Sequence, residues 1–219
     1  MSLADKYRPQ VLDDVAGQPK LVARIRAMAS RDLIPGNAYW FSGPSGRGKT
    51  TIARIVARMV ANDLCVHEYD AGEVTAARAR ELQEATRSRS LWAPDGHAVI
   101  VNEAHGLRRD ALRALLVVLE HIPPHVVWCF TTTNEGQQSL FEDHIDASPL
   151  LSRCIDMPLQ QRLNASEQPQ SEQQAERVRW VAQQAALDGQ PLAAYVKLIT
   201  RHKGNMRAAL MDVQGGCML

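Results

Sequence analysis

Apolar residues along the chain fall into two alternating patterns. Ala38–Ser42 (AYWFS), Ala98–Asn102 (AVIVN) and Val126–Thr131 (VVWCFT) are short, rich in β-branched and aromatic side chains, and apolar at consecutive positions. Strands buried on both faces of a sheet read this way. Val66–Asp70 and Cys154–Met157 are weaker candidates of the same kind. Between these runs, Thr50–Asn62 and Leu107–Glu120 carry apolar residues at helical spacing. In the second, Leu107, Ala111, Leu115 and Val118 form one stripe, which suits a helix covering a sheet. Strands alternating with helices of this length predict βαβ units, a parallel sheet and an α/β fold.

Near Gln160 the pattern changes. Gln160–Gln174 (QQRLNASEQPQSEQQ) is rich in Gln and Ser and poor in apolar residues, as a linker leading into a helix start would be. Three helical patterns follow, roughly 171–187, 191–202 and 204–214, punctuated by Gly189 and Gly204. The expected layout is an α/β domain over residues 1–159 and a small helical domain over residues 160–219.

Composition narrows the function more than the fold. The 219 residues carry a net charge of +1, which excludes a uniformly basic nucleic-acid coat but leaves room for a local basic groove. Aromatic residues are only 5%, too few for binding driven by bases stacked on a row of rings. The four cysteines include no CxxC pair, against a zinc ribbon or redox dithiol. The opening MSLADKYRPQ has no apolar core, and no run of 18 apolar residues follows. The expectation is a cytoplasmic protein with no membrane segment. The seven histidines form no ligand pattern, and no Ser-His-Asp arrangement is readable.

The informative segment is Gly43-Pro44-Ser45-Gly46-Arg47-Gly48-Lys49-Thr50, a full GxxxxGK[ST] match between a predicted strand and a predicted helix. Glycines let the backbone fold around a triphosphate with its N–H groups inward, and the helix N-terminus adds its positive dipole end. Residues 43–51, Thr51 included, would therefore hold ATP or ADP. Lys49 would bridge the β- and γ-phosphates, and the Thr50 hydroxyl would ligate Mg²⁺. The second predicted strand ends in Asn102-Glu103, where a nucleotide-hydrolysing protein of this kind places two acids at the metal and the attacking water. Glu103 remains to polarise water. Asn102 keeps an oxygen for the metal's water shell but loses a negative charge. We therefore expect ordinary nucleotide binding, slow turnover, and a faster Asn102→Asp variant.

With these residues in view, the sequence resembles a AAA+ ATPase of the clamp-loader group, which includes replication factor C small subunits and the bacterial gamma/tau subunit. Lys6-Tyr7-Arg8-Pro9, Leu12-Asp13-Asp14-Val15 and Gly17-Gln18 are similar to the group's N-terminal signature. The resemblance implies that Tyr7, Arg8, Pro9 and Val15 lie against the adenine. Asn102–His105 stands where the group has Asp-Glu-Ala-Asp or Asp-Glu-Ala-His, and Leu115–Thr133 is similar to its helix, Pro-containing turn and sensor-1 strand. Leu151-Ser152-Arg153-Cys154 matches its Ser-Arg-Cys motif, and Gly204–Leu210 is similar to its sensor-2 helix. The implied fold is a P-loop NTPase with a three-layer αβα parallel sheet and a small C-terminal helical lid. The implied roles are γ-phosphate sensing by Thr133 or Asn134, closure of the lid by Arg207, and service by Arg153 to a neighbouring subunit's ATP. The implied partners are other AAA+ subunits, a sliding clamp and primer–template DNA. Arg78 and Arg80 in residues 74–90, and Arg109 and Arg113 one turn apart after Glu103, stand where the group tracks duplex phosphates; a solvated charged face is the alternative for each. The sequence ends just after the sensor-2 helix, so the group's C-terminal collar domain has no counterpart in these residues. A hydrolysis-impaired ATP-binding scaffold, or another DNA-remodelling AAA+ ATPase, is the competing expectation.

Overall fold

The computed structural model describes residues 1–133, 148–159 and 168–219. Five strands, β1 (Asn37–Ser42), β2 (Ala61–Asp70), β3 (Gly96–Asn102), β4 (Val126–Thr132) and β5 (Ile155–Asp156), form one sheet in the order β2-β3-β4-β1-β5. Their ladders are parallel. The helices are α1 (Leu3–Lys6), α2 (Pro19–Ala29), α3 (Lys49–Val60), α4 (Ala76–Ala85), α5 (Arg109–Glu120) and α6 (Ser148–Ser152), then α7 (Gln168–Gln184), α8 (Leu192–Arg201) and α9 (Met206–Gln214).

Successive strand residues point to opposite faces, and this alternation divides the core in two. Tyr39, Phe41, Ala98, Ile100, Val127 and Cys129 face one way and are buried under α2 and α3. Trp40, Val99, Val101, Trp128 and Phe130 face the other way, under α4 and α5. Both faces are covered, which is why the central strands read as nearly continuous apolar runs. Each large side chain buried in this way contributes about 1.5–3 kcal/mol. A third apolar cluster, separate from the sheet, joins Val178 and Val181 of α7, Tyr195 and Ile199 of α8, and Ala209 and Val213 of α9, with Leu3, Ala4 and Tyr7 packed against it.

The predicted three-layer α/β fold is therefore the observed one, and the differences lie at element ends. β2 starts five residues before the predicted Val66, at Ala61, and its register with β3 shifts between those two residues. The helix after the first strand runs Lys49–Val60 rather than Thr50–Asn62, because β2 takes over directly at Ala61. α5 begins at Arg109 rather than Leu107, since a 3₁₀ turn over Ala104–Gly106 uses Leu107 as its cap. α7 starts at Gln168, inside the stretch expected to be a linker. No helix among the described residues is long and apolar enough to cross a membrane.

Candidate functional site

The GxxxxGK[ST] segment leaves the end of β1 and opens α3. Gly48 caps that helix with φ +93°, and a Cβ added there would meet nothing within 4 Å. Backbone conformation, not crowding, thus demands glycine at this point, and open space lies over the helix N-terminus. Gly46 differs: at φ +72° it is also crowded, since a Cβ would fall inside the Asn205 side-chain amide. The loop is pressed beneath the start of α9. The Met206 N–H donates to Gly46 O at 3.1 Å, and Arg47 donates to Lys203 O. Lys49, only 6% exposed, donates from Nζ to Gly43 O and Pro44 O, both at 3.0 Å. An ammonium spanning the loop beside a free helix N-terminus suits a polyphosphate anion.

Thr50 Oγ1 donates to Asn102 Oδ1 at 3.1 Å, so the first residue of the helix pattern meets the end of β3. Thr131 Oγ1 donates to the same oxygen at 3.1 Å. On its other side Asn102 Nδ2 donates to Glu68 Oε1 at 2.7 Å. Glu68 in turn accepts from Arg54 Nε at 2.6 Å and Nη2 at 2.8 Å. Burial works to raise the Glu68 pKa, but the hydrogen bonds from Arg54 and Asn102 prevail and hold its carboxyl below the usual carboxylate range. A hydroxyl beside an amide oxygen, with a carboxylate behind it, is a donor set that fits a hard cation such as Mg²⁺.

Glu103 adopts φ +49°, a left-handed conformation that is costly for a residue with a side chain. Its backbone N–H donates to Thr131 Oγ1 at 3.4 Å, and its carboxylate is 3.5 Å from His105 Nδ1 and half exposed. His105 Nδ1 also lies 3.2 Å from Thr132 Oγ1. Of the two sensor candidates, Thr133 follows directly on β4, and Asn134 lies outside the described residues.

A cleft above the loop is lined by Tyr7, Arg8, Pro9 and Val15 from the N-terminal segment, and by Gly46, Arg47, Gly48 and Thr51. From the C-terminal helices it receives Arg177, Met206 and Arg207. The N-terminal signature, the loop and the predicted sensor-2 arginine therefore meet at one place. The sequence reading missed Arg177. Its guanidinium sits 4.3 Å over the Trp180 ring and donates to Asp14 Oδ1 and Tyr7 O, both at 3.3 Å, fastening α7 to the N-terminal segment. Arg54, Glu68, Thr131 and Thr132 were missed as well. For Thr131 and Thr132 the signal was polarity at the end of an apolar strand; Arg54 and Glu68 stood in no pattern that set them apart.

Other predicted residues stand elsewhere. Arg153 follows α6 and donates to Pro149 O at 2.9 Å and Glu120 Oε1 at 2.5 Å. Ile155 is level with Tyr39, so Arg153 lies near the start of β1 while the loop begins past its end. At about 3.3 Å per residue the separation along the sheet is roughly 20 Å. Arg80 and Arg113 line one groove between α4 and α5, together with Asp110. Arg78 bonds Glu81 and lies 5.6 Å over the Tyr69 ring, and Arg109 is exposed at the start of α5.

Comparison with known proteins supplies the family and the fold. The sequence model of the ATPase family associated with various cellular activities (AAA) matches residues 39–157. The DNA polymerase III subunit gamma/tau of Mycobacterium tuberculosis is 33% identical over 157 residues, covering 61% of this chain and 27% of the relative. The replication factor C small subunit of Haloarcula marismortui is 31% identical over 156 residues, covering 68% of this chain and 44% of the relative. The chain thus spans less than half the length of these relatives. Among solved structures, the RuvB Holliday junction branch migration motor of Thermotoga maritima superposes with a TM-score of 0.71 at 20% identity, over 95% of this chain and 64% of that one.

Proposed function

Since the chain belongs to the AAA family of ATPases, we propose that it is an ATP-binding subunit of an oligomeric, clamp-loader-like assembly that places a sliding clamp on primer–template DNA. The observation that carries the nucleotide part is the loop of residues 43–48 over Lys49, opening onto the cleft that Tyr7, Arg8 and Arg207 share. Lys49 would exchange its two carbonyl partners for phosphate oxygens of the substrate ATP. Thr50 and Asn102 would hold Mg²⁺, whose chemistry is to neutralise charge on the transferring phosphoryl group. Glu103 would orient water, with Thr133 or Asn134 sensing the γ-phosphate. Arg207 would bring the lid of residues 160–219 over the nucleotide bound to residues 1–159. The clamp and DNA are carried over from the relatives' names; Arg80 and Arg113 in their shared groove, with Arg78 and Arg109 nearby in sequence, are the arginines offered to DNA phosphates.

Arg153 is too far from its own loop to act there, so its partner would be the ATP of an adjacent subunit. A trans arginine is worth roughly 10³–10⁵ in rate in related chemistry. The neutral amide at residue 102 favours a second reading, a subunit that binds ATP and turns it over slowly as a scaffold. A branch-migration motor shares the fold, but Leu151–Cys154 argues for the clamp-loader group.

Lys49→Ala tests the nucleotide site. The parent protein should gain thermal stability on adding ATP or ADP and the variant should gain none. A variant stabilised as much as the parent would refute the assignment.

A further inference from the structure

Asn102 closes a ring of side chains. Thr50 and Arg54 stand one turn apart on α3 and both reach the sheet: Thr50 bonds Asn102 on β3, and Arg54 bonds Glu68 on β2 through two hydrogen bonds. The 2.7 Å bond from Asn102 Nδ2 to Glu68 Oε1 joins the two pairs. Strand register makes this possible. Asp70 is level with Asn102, and Glu68 with Ile100, so Glu68 and Asn102 share the face that looks at α3.

A carboxylate can only accept hydrogen bonds, so Glu68 can engage Asn102 only through the amide NH₂. That choice turns Oδ1 toward Thr50 and Thr131, whose hydroxyls both donate to it. An amide whose N–H bonds an anion is polarised, and its oxygen becomes the stronger acceptor. An aspartate at residue 102 would have no donor for Glu68 and would set two carboxylates at hydrogen-bonding distance, where they repel.

We propose that Glu68 is the charge-bearing positioning residue of the magnesium site: the negative charge missing at residue 102 is supplied from the neighbouring strand and acts through the Asn102 amide. The inference rests on the reading of residues 43–51 as an ATP site. It also alters the expectation for Asn102→Asp, whose benefit should appear only when Glu68 is neutralised as well.

The test is a titration with a fluorescent ATP analogue, in EDTA and in Mg²⁺, for the parent, Glu68→Gln, Asn102→Asp, and Glu68→Gln/Asn102→Asp. Affinity without metal should be alike in all four, because the phosphate loop is untouched. The gain in affinity on adding Mg²⁺ should fall on the order of tenfold in each single variant and return in the double variant. Glu68→Asp, which keeps the charge, should retain most of the gain and guards against a Glu68→Gln protein that does not fold. Mn²⁺ paramagnetic resonance of the ADP complexes should show the same ranking of metal affinity. The proposal is overturned if Glu68→Gln keeps the parent's Mg²⁺ gain, or if Asn102→Asp alone matches the double variant. A parent that binds no analogue even in EDTA would instead overturn the nucleotide reading, and this inference with it.

Discussion

Gly46 and Lys49 were legible because everything that defines them is local: eight residues, a strand before and a helix after. Glu68 and Arg54 were not, since their meaning depends on which strands become neighbours, and a glutamate in a weakly patterned strand resembles any edge residue. Even Gly46 has a part the motif does not state. Its carbonyl and its missing Cβ both face α9, through Met206 and Asn205. Gly46→Ala would impose a left-handed alanine, at about 1–2 kcal/mol, and displace Asn205, whose Oδ1 caps α9 by accepting from Ala208 N at 3.0 Å. Losing that cap costs about 1 kcal/mol more. The melting temperature should fall by roughly 5–10 °C. A drop under about 2 °C would mean that Asn205 yields freely and that α9 does not press on the loop.

Elements with one-sided or continuous apolar patterns were read correctly from sequence, and those whose stability comes from partners were misplaced. α7 is the clearest case. Its first residues are polar, so the pattern put its start near residue 171 rather than at Gln168, yet Ala175, Val178, Val181 and Ala182 bury it against α8 and α9. Its far end is tied down by Asp188, which accepts from Tyr195 Oη at 2.8 Å, Gln183 Nε2 at 3.0 Å and Arg179 Nε at 3.2 Å. The Tyr195 hydrogen bond, seconded by those from Gln183 and Arg179, holds the Asp188 carboxyl below its ordinary value. A lowered folded-state pKa means stability that is present above the ordinary carboxylate range and lost as pH falls through the folded value. Asp188→Asn should therefore melt below the parent at neutral pH, and the difference should shrink in acid. A gap independent of pH would show that geometry, not charge, makes this junction.

At the scale of the whole molecule, the proposed function divides each site between two subunits. Arg8, Arg177 and Arg207 line its own cleft, while Arg153 stands at the opposite end of the sheet, bonded to Glu120. The isolated chain should hydrolyse ATP hardly at all. In an exchanging assembly, Arg153→Ala protein mixed with Glu103→Gln protein should recover turnover, because each supplies what the other lacks; no recovery at any ratio would sink the trans assignment. The contact between the phosphate loop and α9 then takes on a wider meaning. On the proposed reading, the Gly46 peptide that would lie beneath a bound phosphate also carries the hydrogen bond to Met206, so the angle of the lid and the occupancy of the cleft would be linked variables. Linkage is reciprocal: if nucleotide draws the lid inward by some factor, a neighbour that pulls the lid outward loosens the nucleotide by that same factor. In the proposed assembly, subunit geometry and ligand affinity would be two readings of one free energy, exchanged across a single peptide unit.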